Sequence, residues 1–70
     1  MTLGNRIKQA RKKAGITQKE LARKLNIAEI TVRQYENDKR QPRLEFLENI
    51  ADALNVDVWN LYNYYKLSSD

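Results

Sequence analysis

The apolar residues of this chain recur at helical spacing. Leu3, Ile7, Ala10 and Ala14 follow one another at intervals of four, three and four, which places them on one face of a helix. Thr2 can cap the start of that helix, and Gly15 can end it in a left-handed conformation. A second helix begins at once, because Thr17-Gln18-Lys19-Glu20 has the Thr-x-x-Glu spacing of a capping box. Leu21, Ala22 and Leu25 supply its apolar face, and Asn26 is a left-handed terminator. A third helix is expected over residues 29–36, with Val32 and Tyr35 as a narrow buried face and Ile27 and Ala28 leading in. Asn37-Asp38 breaks it, and Lys39-Arg40-Gln41-Pro42 forms a basic loop. The fourth helix carries Leu44, Leu47, Ile50, Ala51 and Leu54 as its inner stripe and ends at Asn55, with Val56 turned inward. Asp57 then caps a fifth helix with Val58, Leu61, Tyr62 and Tyr65 at i, i+3, i+4 and i+7. Trp59 and Tyr64 fall off that stripe. The expected architecture is all-α, a compact five-helix domain over residues 1–66 with a tail or linker start at 67–70.

Composition narrows what such a domain can do. Seventy residues make one small domain. Without cysteine there is no disulfide framework and no thiolate metal site, and without histidine the commonest general base and metal ligand are missing. No convergent carboxylate pair replaces them, so the expectation is a protein that is not an enzyme and uses no cofactor or metal. No small-molecule ligand is evident. No apolar run approaches the ~18 residues of a membrane span, and the N-terminus lacks a signal-peptide stretch. The expected location is the cytoplasm, with no membrane partner.

Charge points to a polyanion. Residues 1–43 hold 12 Lys and Arg against four acids, whereas residues 44–70 hold Lys66 against five, so the halves carry +8 and −4. The third helix suggests where that polyanion is read. At about 100° per residue, Ile30, Arg33, Gln34 and Asn37 lie opposite Val32 and Tyr35. Arg and Gln can form paired hydrogen bonds with guanine and adenine edges, and Ile30 can meet a thymine methyl group. Glu29, at the N-terminal shoulder, either complements the helix dipole or accepts a hydrogen bond from cytosine. Lys39, Arg40 and Arg43 form a basic rim suited to phosphates.

These residues carry a resemblance. The stretch LGNRIKQARKKAGITQKELARKLNIAEITVRQYENDKRQP, followed by LEFLENIADALNV, resembles the phage repressor and Cro type of helix-turn-helix domain, the Xre family. The likeness runs through Gly15-Ile16-Thr17-Gln18, Glu20-Leu21-Ala22, Tyr35-Glu36-Asn37, Pro42 and Ala53-Leu54-Asn55-Val56, over residues 3–62. It implies five helices with the second and third as the motif. It implies that Glu29, Ile30, Arg33 and Gln34 face bases and that Gln18, Asn37 and Lys39 meet the sugar-phosphate backbone. Thr17, beside Gln18, is placed in the same rim. It also implies that Arg11 and Glu36 form an internal ion pair, although on charge alone Arg11 reads as a phosphate ligand. Three positions depart from the pattern: Asn26 and Asp38 stand where Gly is usual, and Ala28 stands where Ser or Thr usually caps the third helix.

The expectation is therefore a bacterial or phage-encoded transcriptional regulator, a repressor, associated with the nucleoid when bound to double-stranded DNA. A homodimer on a palindromic operator is expected, with Val58, Trp59 and Tyr62 as contact candidates, since aromatic residues outside a core are enriched at interfaces. The alternative is a protein-interaction module or antitoxin component on the same fold.

Overall fold

The computed structural model describes residues 1–68, with side chains as far as Tyr64. Within them the helices are α1 (Leu3–Lys13), α2 (Gln18–Leu25), α3 (Glu29–Glu36), α4 (Leu44–Leu54) and α5 (Val58–Ser68). Their ends follow local chemistry. The Thr2 hydroxyl accepts from the Asn5 amide at 3.2 Å. The capping box at α2 is complete: the Glu20 amide donates to the Thr17 hydroxyl at 3.0 Å, and the Thr17 amide donates to the Glu20 carboxylate at 2.8 Å. The Trp59 amide donates to the Asp57 carboxylate at 3.0 Å at the start of α5. Among the described residues the left-handed positions are Gly15, Asn26, Asp38 and Asn55 (φ 76°, 57°, 59° and 56°). The three that are not glycine are Asn or Asp, whose short polar side chains tolerate that region.

α2 packs on α3, α1 on α3 and α5, and α4 on α5 and α2. Ile7, Leu21, Val32, Leu47, Ile50 and Leu61 are the largest fully enclosed side chains, so every helix contributes to one core. Tyr35 completes that core on the α3 side, its ring 6.0 Å from that of Phe46.

Three positions and one helix end differ from the expected pattern. Ala14 is exposed, because α1 ends at Lys13 and Ala14 is its C-cap. Leu44 is 40% exposed at the first position of α4, where it lines a surface cavity with Glu48, Val58, Trp59 and Tyr62. Tyr64, off the expected stripe, packs partly buried against the core. Helix α5 runs to Ser68 through two residues expected to be tail, since neither Leu67 nor Ser68 breaks a helix. The expectations for the Tyr65 side chain and residues 69–70 lie outside the described residues.

One contact fixes α1 against the end of α3. A Cβ on Gly4 would lie 2.4 Å from the Tyr35 carbonyl oxygen and 2.6 Å from that of Glu36, so only glycine permits this approach. The Gly4 amide donates to the Asp38 carboxylate at 2.9 Å, and the Thr2 hydroxyl donates to the other oxygen of the same carboxylate. Asp38 thereby satisfies an amide in the first turn of α1 from 34 residues away.

Candidate nucleic-acid interface

α2 and α3 are joined by Asn26, Ile27 and Ala28. The Ile27 amide returns to the Ala22 carbonyl at 3.0 Å, and Ile27 itself packs against the core. The chain then enters α3 at Ala28, which is extended and offers no side-chain cap.

The inner face of α3 buries Val32, Tyr35 and Glu36. Glu36 is 5% exposed and Arg11 8%. The Arg11 Nε donates to Glu36 Oε2 at 2.6 Å and its Nη2 to Oε1 at 3.2 Å, a two-point pairing of guanidinium and carboxylate. The third guanidinium nitrogen donates to the Ile16 carbonyl at 2.9 Å. The Gln18 amide donates to Glu36 Oε1 at 3.0 Å, which ties the start of α2 to the same carboxylate. Burying two charges is costly unless they are paired and hydrogen-bonded, and here both conditions are met.

The outer face of α3 differs in every respect. Ile30 is 50% exposed, Glu29 and Arg33 are exposed, and Gln34 is half-buried. Ile30, Arg33 and Gln34 lie on the side of the helix opposite Val32 and Tyr35, and Glu29 stands at its N-terminal shoulder, in the angular register of Glu36. Glu29 Oε2 lies 3.7 Å from Arg33 Nη2. The spacing of four that makes this contact possible is visible in the sequence, but the sequence reading had not paired the two residues.

The residues expected to form the rim differ in what they already bind. Thr17 is exposed, and its hydroxyl is engaged by Glu20, accepting from the Glu20 amide and interacting with the Glu20 carboxylate. Gln18 commits one amide hydrogen to Glu36 and keeps the other. Asn37, Lys39, Arg40 and Arg43 are exposed, and among the described residues none of the three cations has an acidic partner. Arg40 is nonetheless placed: its guanidinium carbon sits 5.9 Å from the centre of the Tyr35 ring, a cation–π arrangement the sequence reading missed. Trp59 is 62% exposed, edge-on to Tyr62 with ring centres 5.1 Å apart, and Val58 is half-buried beside them.

The helix-turn-helix family profile matches residues 7–58, most of the chain. The protein belongs to the helix-turn-helix family of phage-repressor (Xre) type. Curated members of that family align with it closely. It is 48% identical over 58 residues to the HTH-type transcriptional regulator ImmR of Bacillus subtilis, covering 83% of this chain and 46% of that protein. It is 41% identical to the immunity repressor protein of Bacillus phage phi105, covering 83% of this chain and 40% of the repressor. It is 39% identical to the HTH-type transcriptional regulator SinR of Bacillus licheniformis, covering 87% and 56% of the two chains. This helix-turn-helix domain thus spans about half the length of the relatives it matches.

Proposed function

We propose that this domain binds double-stranded DNA in a sequence-specific manner and acts as a transcriptional repressor, with α3 in the major groove. The observation that carries the proposal is the outer face of α3. There Ile30, Arg33 and Gln34 are presented together while the other side of the helix is locked to the body through Glu36. The three side chains suit three features of the groove: a thymine methyl, a guanine edge and an adenine edge. Thr17, Gln18, Asn37, Lys39, Arg40 and Arg43 position the domain on phosphates. Relatives named as transcriptional regulators and an immunity repressor support the same reading. It acts in the cytoplasm, bound to the nucleoid, as a homodimer on a palindromic operator. Val58, Trp59 and Tyr62 form the contact between copies, and the half-sites lie about one helical turn apart.

Selection on random duplex DNA, followed by titration of operator variants at fixed salt, tests this. Gln34→Ala costs about 1–3 kcal/mol on the selected site and much less on unrelated DNA. Lys39→Ala weakens binding alike on all sequences and lowers the log–log salt slope by about 0.9. A wild-type domain with no preference among duplexes overturns the proposal.

A further inference from the structure

We infer that Glu29 does not read a base itself but positions Arg33, and that it sets how sharply the domain discriminates guanine from other bases. The inference rests on the reading of α3 as the helix that enters the groove.

Two observations support it. Arg33 has one acidic neighbour on its own helix that is free to serve it. Glu36 is consumed by Arg11 and Gln18, whereas Glu29, four residues before Arg33, makes no other ion pair or side-chain hydrogen bond among the described residues and lies 3.7 Å away. That distance exceeds hydrogen-bond reach, so the pair is held by charge alone. The carboxylate attracts the guanidinium without using any of its N–H donors. Arg33 is directed but keeps its fork intact for a two-point contact with guanine O6 and N7.

Electrostatics explains why a carboxylate sits at the shoulder of this face at all. Brought against DNA, Glu29 is repelled by phosphates, so its presence weakens binding to every duplex. An Arg33 without Glu29 can swing to the nearest phosphate, which is a sequence-independent contact. Drawn toward Glu29, it is kept from that alternative. The carboxylate lowers overall affinity and raises selectivity, a trade that specific interfaces commonly make. Its favourable interaction with the dipole at the start of α3 is a separate effect, and it changes stability without changing base preference.

The test titrates the wild type, Glu29→Gln, Arg33→Ala and the double variant against the selected duplex. The same proteins are titrated against duplexes in which each G·C pair is replaced in turn, and against a random duplex. Thermal melts establish that each protein is folded. Glu29→Gln is expected to lose about threefold or more of the discrimination at one G·C pair, the pair at which Arg33→Ala also loses it, and to bind the random duplex more tightly. On the Arg33→Ala background, Glu29→Gln changes discrimination no further. A loss at a different base pair, or the same loss with Arg33 already removed, means that Glu29 reads its own base and overturns the inference. Unchanged preference in Glu29→Gln overturns it too, while the reading of α3 stands. A wild type without any preference removes that reading and the inference with it.

Discussion

α2 and α3 are both eight residues long and both give way to a left-handed Asn or Asp, yet the start of α2 is closed by groups next to it in sequence, whereas α3 has no such cap and is held by groups from elsewhere in the chain. α2 starts in a complete capping box and stops at a left-handed Asn26. α3 starts at Ala28 with no side-chain cap. Its other end is fastened instead: Glu36 binds Arg11 and Gln18, and Asp38 just beyond it binds Gly4 and Thr2. The helix that carries the outward-facing Ile30, Arg33 and Gln34 thus takes its orientation from contacts with α1 and α2. Local sequence shapes the supporting helix, and long-range pairing aims the other one.

The largest effect that probes this contrast comes from Glu36→Ala. It leaves the Arg11 guanidinium buried without its counter-ion and destabilises the domain by about 3 kcal/mol. Melts of Glu36→Ala, Arg11→Ala and the double variant give the coupling between the two residues. Strictly additive losses would show that α3 is not fastened in this way.

A smaller effect tests the open end. Ala28→Ser supplies the missing acceptor to the first turn of α3 and stabilises the domain by about 1 kcal/mol. In a domain of this size that raises Tm by about 4–8 °C. An unchanged Tm would mean that the start of α3 is already as well satisfied as that of α2.

The smallest effect is at the α2 box. The Thr17 backbone N–H, and then its side chain, hold the Glu20 carboxyl below its ordinary 4.5. A carboxylate lowered in the folded state contributes stability that is present above its unfolded pKa and is lost as pH falls through the folded one. The contribution of the box is therefore whole at neutral pH and fades as pH drops below about 4.5. Glu20→Gln keeps an acceptor for the Thr17 amide but has no proton to gain, so its Tm falls less steeply than that of the wild type in that range. Parallel Tm profiles would remove Glu20 as the source.

The chain alone determined the five helices and most of their ends. Helix ends depend on residues within a few positions, and Thr2, Thr17, Asn26, Asn55 and Asp57 each act on a neighbouring backbone group. It also marked Ile30, Arg33 and Gln34 as outward-facing, because helical periodicity places them opposite Val32 and Tyr35. Only the tertiary structure decided what those patterns meet. Leu44 follows the inner stripe of α4 but stays exposed at its first position, and Tyr64 lies off the stripe of α5 yet packs against the core. Asp38 was read for its backbone alone, and its bonds to Thr2 and Gly4 span 36 and 34 residues. Gly4 went unremarked, although a glycine inside a helix is a signal of close approach. Arg40 read as one more phosphate cation until its place over Tyr35 appeared. Periodicity records which way a residue faces along its own helix. It holds no information about which distant group the fold brings to that face, and in this protein such distant groups tie down the end of α3.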